Sequence, residues 1–499
     1  MTPEPGKIII VGGGIAGLCA AVYARQCGYK VELFEKHDSV GGLATSWRRG
    51  EYTFETCLHW LLGSKPGTRM HERWQEVFDI DRLQFVDPAE FVRIESERGE
   101  ELRIYTDADR LERELLDKAP QDTAEIRHLM RTVRRFAKIE LPELGGSWPQ
   151  TLRGVLRALP DIPVLRSWAA VTSGEYGARF SHPLLRAFFG AGEMSELSAI
   201  AVVFALAWLS DRNAGYPIGG SRAITSAIAD KAQKLGARLH LGTAVRAILV
   251  ERGNAIGVDL GASRTEFADW VISAADGHET IYELLGGRYH DAAFDPGDAP
   301  LKPYPSYVQV SFGVARDLSA RPGFVTRVLD APFVVDPGTR LERVSFRIFN
   351  FDPSFAPQGK TAITCVLPTR NAGYWADLRR RDPDGYAVEK RRVAGAVAAV
   401  MDRVIPGAQD AIEVTDVSTP ATVMRLTSNW NGSMEGWLLS PASGLRPLPA
   451  TLEGLRQFLM IGQWRMPGGG LPSGLMTARA AVQAICRHDR ESFAIQPAA

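Results

Sequence analysis

The sequence has no cysteine framework. Five cysteines, Cys19, Cys27, Cys57, Cys365 and Cys486, are scattered over 499 residues, with no C-x-x-C pair and no metal-ligand spacing. That pattern excludes a disulfide scaffold and a zinc site, and the odd number fits reduced thiols in a cytoplasmic protein. Charge of one sign is also missing: 58 Lys and Arg cancel 58 Asp and Glu. No global field is therefore available to gather nucleic acid. No apolar run reaches the roughly 20 residues of a membrane-spanning helix. The first strand-like run starts at Ile8, so no signal peptide is expected. Nor does any Ser/His/Asp set, acid pair or His/Cys cluster point to hydrolysis or a metal. The expectation is a cytoplasmic chain, long enough for two or three domains, with at most a peripheral contact at the inner membrane surface.

What is present is concentrated at the start, in KIIIVGGGIAGLCAAVYARQCGYKVELFEKHDSVGG, residues 7–42. A short apolar run reads as a buried parallel strand. It ends at three glycines, and an Ala-rich helical pattern follows at once. G-x-G-x-x-G falls on Gly12, Gly14 and Gly17. Gly12 would permit a sharp turn, Gly14 the approach of backbone to a pyrophosphate, and Gly17 close packing of helix on strand. Ile15 and Ala16 would open the helix, with its positive end toward the phosphates. A second apolar run, 30–34, leads to Glu35 and Lys36. Glu35 has the offset of an acid that accepts hydrogen bonds from a ribose diol. The motif alone does not choose between NAD and FAD.

The choice comes from Gly41 and Gly42. E-x-x-x-x-x-G-G resembles the extended fingerprint of FAD-binding amine oxidases and phytoene-desaturase-like flavoproteins, whose paired glycines pass close to the cofactor phosphates. The next position, often Arg in those proteins, is Leu43 here. Two later stretches extend the resemblance. Around 216–276, Y-P-x-G-G-S is followed by a helix (about 223–235), then strands at 238–241, 244–251, 255–260 and 270–276, ending V-I-S-A-A-D. Around 458–486, a strand stops at Gly462, and the loop GQWRMPGGGLPSG feeds a helix from about Leu475. There is no second G-x-G-x-x-G, hence no evident nicotinamide site.

The chain is thus similar, over nearly its whole length, to the phytoene desaturase, carotenoid isomerase and retinol saturase group, with the amine-oxidase type of FAD fold. The resemblance implies an α/β protein in two parts. Residues 1–66, 215–298 and 441–490 would form a Rossmann-like FAD-binding domain. Residues 67–214 and 299–440 would form an α+β substrate domain with an antiparallel sheet and a helical subdomain. It implies FAD held by Gly12, Gly14, Ile15, Ala16, Gly17, Glu35, Lys36, Gly41, Gly42, Leu43, Val245, Ala274, Gly462, Gly469, Gly470, Pro472, Gly474 and Leu475. Of these, Val245 would touch the adenine through its backbone, and the 468–474 loop would bring a helix dipole to the flavin. Glu55 and His59, and Asn429 and Trp430 in the run NWNGSMEGW, are the candidates for catalysis. The implied activity is hydride transfer between a lipophilic, polyunsaturated substrate and flavin N5, with a quinone or oxygen as electron acceptor. An FADH2-dependent cis–trans isomerase of a polyene, or a flavin oxidase of a small metabolite, is the alternative.

The stretches between these segments are less legible. Residues 67–217 lack a strand–helix rhythm, except that 127–139 can form an amphipathic helix. From 127 to 166, eight Lys and Arg face three Asp and Glu, read either as a solvated face or as a membrane-facing one. Residues 197–209 are apolar nearly all round, which suits a core helix or a tunnel wall. Beyond 299 the pattern turns strand-rich, at 307–314, 343–349 and 361–367, before an amphipathic helix at 391–404. The tail after Arg490 reads as disordered.

Overall fold

The computed structural model describes residues 6–56, 58–140, 159–190, 194–294 and 301–496. Its organising layer is a five-stranded parallel sheet in the order Arg238–His240, Lys30–Phe34, Lys7–Val11, Trp270–Ser273, Phe458–Met460. Ile8, Ile9 and Ile10 are fully buried because both faces are covered. Ile8 and Ile10 join the core beneath the helices Ile15–Gln26, Gly220–Lys234 and Gly470–Asp489, while Ile9 and Val11 face the other way. There they meet a small antiparallel layer, Ala247–Glu251, Asn254–Asp259 and Thr265–Phe267. A continuous apolar run, rather than an alternating one, is what two covered faces require.

The second layer is a seven-stranded sheet. Its order is Ile412–Ser418, Ser306–Val314, Thr361–Thr369, Thr339–Ile348, Phe324–Asp336, Glu90–Ser96, Glu101–Tyr105. It is antiparallel except where Glu90–Ser96 joins Phe324–Asp336. Helices Ala372–Arg381 and Pro383–Val404 cover one face. The hairpin Glu90–Tyr105 lies in the stretch that showed no strand rhythm. Val92, Ile94, Leu102, Ile104 and Tyr105 are its buried residues, set among charged neighbours. Phe324–Asp336 escaped the pattern because its register shifts twice against its partner, around 328–333 and 334–336.

The amphipathic helix spans Thr123–Phe136 and buries Ile126, Leu129, Met130, Val133 and Phe136. Its Arg134 pairs with Asp109 and Glu112, each at 2.6 Å, and Arg135 with Asp161 at 2.6 Å. Part of the basic surplus is therefore neutralised within the fold; Arg153 and Arg157 lie outside the described residues. Ala199–Ser210 is a core helix, with Phe204 stacked on Phe136 at 4.7 Å. Trp208, near its end, also borders a cavity of about 200 Å³ with Leu62, Met70, Leu475 and Met476.

Three expectations need correction. The amphipathic helix expected at 391–404 begins at Pro383, since Pro is tolerated at the first helical position. The last helix begins at Gly470, not Leu475, because Pro472 is tolerated in a first turn whose N–H groups have no helical partner. Residues 491–496 are packed rather than disordered: the Phe493 ring lies 6.1 Å from that of Tyr23, and the Gln496 N–H donates to Gln26 Oε1 at 2.9 Å.

Candidate functional site

At the carboxyl end of the parallel sheet, Gly12 turns the chain with φ +100°. A side chain there would crowd the Ala274 carbonyl carbon at 3.2 Å. A methyl group at Gly17 would overlap the Gly12 carbonyl oxygen, so helix and strand touch at backbone distance. Gly14 is different, because the nearest atom to a methyl group there would be the Gly41 carbonyl oxygen, at 3.8 Å. Gly41 bridges to Gly14, and its N–H donates to the Gly13 carbonyl at 2.9 Å. The paired glycines thus close over the first loop, with Leu43 half-buried behind them.

Glu35 is 8 % exposed. Its Oε2 accepts from the Gly13 N–H at 2.7 Å and its Oε1 from the His37 N–H at 2.8 Å. A carboxylate offers about four acceptor sites, which leaves capacity for a ligand diol. The Glu35 carbonyl accepts from Thr243 N–H at 2.8 Å, which brings the segment bearing Val245 alongside. Lys36 is committed elsewhere: its ammonium donates to Ser428 Oγ at 2.6 Å and to the Arg425 carbonyl at 3.3 Å. Desolvation lowers its pKa.

The Gly470–Asp489 helix meets the same seam. Gly474 lies against Ile15 and Ala16, and Gly462 faces Ala16. The N-termini of two helices therefore converge beside the first loop, and each presents free N–H groups and a positive dipole end. Thr477 Oγ1 accepts from the Gly462 N–H at 2.8 Å and ties this helix to the strand before it. Gly469 turns with φ +50°, and a side chain there would lie 3.0 Å from Glu435 Oε2. Glu435 was not singled out from the sequence. Its signal was a lone acid inside the 429–437 run. It is half-buried, and desolvation of its carboxyl pushes the pKa up to about 8, against a Tyr304 hydrogen bond that lowers it.

The four candidates for catalysis have unlike environments. Glu55 Oε1 accepts from the Tyr216 hydroxyl at 3.0 Å, and Oε2 from the Ser221 N–H at 2.8 Å, in the first turn of Gly220–Lys234. One oxygen thus caps the helix while the other holds the Tyr216 hydroxyl of the preceding strand, and burial raises the pKa to about 7. Asn429 is also engaged, donating to the Ser433 carbonyl at 2.5 Å and accepting from Trp464 Nε1 at 3.0 Å. The Trp430 N–H donates to Asp276 Oδ2 at 2.9 Å, and its ring stacks on His278 at 4.9 Å. Asp276, buried at the end of Trp270–Ser273, is pushed to about 7 by desolvation. His59 alone of the four keeps a buried ring nitrogen, Nδ1, with no hydrogen-bond partner. It sits beside Trp60 and Phe324.

Among the described residues no group of three His, Cys, Asp or Glu could hold a metal, and no helix is long and apolar enough to cross a membrane. The seam of glycines, converging helix ends and Glu35 suits an extended dinucleotide. Related proteins point the same way. A phytoene desaturase (neurosporene-forming) of Rhodobacter capsulatus is 26% identical, over 97% of this chain and 94% of its own. A chloroplastic prolycopene isomerase of Arabidopsis thaliana is 24% identical, over 94% and 81%. A redesigned putrescine oxidase shares the fold with a TM-score of 0.63, at 15% identity over 97% and 99%. The family model described as flavin-containing amine oxidoreductase matches residues 15–486. The chain belongs to that family and is an FAD-dependent oxidoreductase.

Proposed function

We propose that this protein is a desaturase-type flavoenzyme acting on a long, apolar polyene, with the FAD-binding part drawn from 1–66, 215–298 and 441–490. The observation that supports the substrate class is an aromatic wall. Trp60, Phe91, Phe324 and the His59 ring pack in tilted and edge-to-face pairs, with centroids 5.7–6.2 Å apart. They stand where the segment after Glu55 meets the seven-stranded sheet. Such a wall excludes water and orients flat, conjugated chains.

In this reading the N–H groups at Gly14, Ile15 and Ala16 hold the pyrophosphate, and Glu35 the ribose. The loop at Gly469, Gly470, Pro472 and Gly474 receives the ring system, with Leu475 behind it in the core. Val245 and Ala274 flank the adenine side and the first loop. Bound FAD supplies acceptance of a hydride, two electrons and one proton, from an allylic C–H. In net balance the polyene would lose that hydride and the vicinal proton, and a quinone or oxygen would take up the two electrons and two protons. The protein's own part is to hold the two reactants in line and dry.

Isomerisation is the second reading, favoured by prolycopene isomerases standing among the relatives beside desaturases. An anaerobic assay separates them. Turnover that requires an added acceptor supports desaturation; turnover by pre-reduced enzyme without any acceptor replaces it with isomerisation. A peripheral membrane contact through the 127–166 region would let such a substrate enter, and flotation with anionic liposomes tests it.

A further inference from the structure

The seven-stranded sheet turns one face to its helices and the other toward the aromatic wall. Val310, Phe346, Ile348 and Cys365 point into the helix-covered core. By the two-residue period of strands, Gln309, Ser311, Arg347 and Thr364 point the opposite way. All four are buried, which is more polarity than a wall for a plain hydrocarbon calls for.

Gln309 and Ser311 satisfy each other, at 3.0 Å. Arg347 is different. Among the described residues its guanidinium makes one hydrogen bond, from Nη2 to the His59 carbonyl at 3.3 Å. Its Nε is buried with no partner, although the residue is only 8 % exposed. The group instead lies over three rings, Phe351 at 4.9 Å, Tyr216 at 5.6 Å and Phe324 at 5.7 Å. Phe324 is its direct partner across the ladder. Glu55 and Tyr216 influence its charge, but they are bonded to each other. Next to it, His59 also has an unused Nδ1.

Two buried nitrogens without partners, Arg347 Nε and His59 Nδ1, at the end of an aromatic wall need an explanation, because burying a charge without a contacting counter-ion is costly. We propose that Arg347 and His59 form a polar subsite for the oxygen-bearing end of a polyene, a carboxylate in particular. The guanidinium fork matches a carboxylate and would gain the contacting anion it lacks. Burial holds His59 neutral, with its pKa down to about 4, so its ring nitrogen can donate to or accept from the same group without adding charge.

This inference rests on the polyene reading above, and its test keeps the two apart. FAD-loaded enzyme is titrated with three polyenes of equal length, ending in a methyl, an aldehyde or a carboxylate. Binding is followed by flavin absorbance and by quenching of tryptophan fluorescence. The carboxylate should bind at least tenfold more tightly than the hydrocarbon, and Arg347→Met should erase that difference while leaving hydrocarbon affinity in place. Equal binding of hydrocarbon and carboxylate to the unaltered enzyme overturns the subsite and spares the polyene reading. Failure of all three to bind overturns both. If Arg347→Met does not fold, the carboxylate-to-hydrocarbon affinity ratio of the unaltered enzyme decides the matter by itself.

Discussion

Two glycines three residues apart separate a requirement of the fold from a requirement of the ligand. Gly17→Ala forces a methyl group onto the Gly12 carbonyl. We expect a loss of about 1–3 kcal/mol or more of stability, seen as a lowered denaturation midpoint even without FAD. Gly14→Ala has room and an ordinary φ of −74°. It should cost no more than about 1 kcal/mol, yet weaken FAD retention on dialysis. Three acids with desolvated carboxyls set a pH dependence at the same scale. Glu55 and Asp276 are raised to about 7 and Glu435 to about 8. Between the ordinary carboxylate range and those values, the folded protein holds protons that the unfolded chain has released. Stability contributed by these groups is therefore present at low pH and lost as pH rises. The Tm of cofactor-free protein should fall from about pH 5 to about pH 8, and Glu435→Gln should make that fall shallower. Residue-level legibility was uneven. The glycines and Glu35 announce themselves by spacing, whereas Glu435 and Arg347 become notable only through contacts made across the fold.

Elements were readable where one local pattern decided them. The opening strand and helix, the 216–276 segment and the 361–367 strand all appear where periodicity placed them. The Glu90–Ser96 and Glu101–Tyr105 hairpin did not, since its apolar face is completed by residues far along the chain. The last helix joins both groups: its existence was legible, but its start depends on Gly470 meeting the rest of the site. Thr477 tests how that helix is held. Thr477→Val keeps the shape but leaves the buried Gly462 N–H without its acceptor, at a cost of about 1–3 kcal/mol. FAD release should accelerate before global stability falls far, as measured by stopped-flow flavin fluorescence against a urea midpoint.

For the whole molecule, the parallel sheet is assembled from three separated stretches of chain. A protein ending at residue 440 would lack the Phe458–Met460 edge strand and the Gly470–Asp489 helix, whose Leu475, Ala478 and Val482 are buried against the opening helix. It should yield no protease-resistant core and no bound flavin, rather than a smaller folded protein. Sequence patterns revealed this split because each cofactor-facing piece carries its own glycine signature. The interleaved sheet between the pieces has no such signature.

The junction of Gly474 with Ile15 and Ala16 also has a consequence in time. The first glycine loop is made several hundred residues before the stretch that walls it in. At roughly 5–20 residues per second, the opening segment waits tens of seconds on the ribosome for a partner that has not yet emerged. A nascent chain cannot close this seam around its cofactor. Closure of the seam therefore waits until synthesis has passed Gly474, so chains interrupted before that residue should retain no flavin.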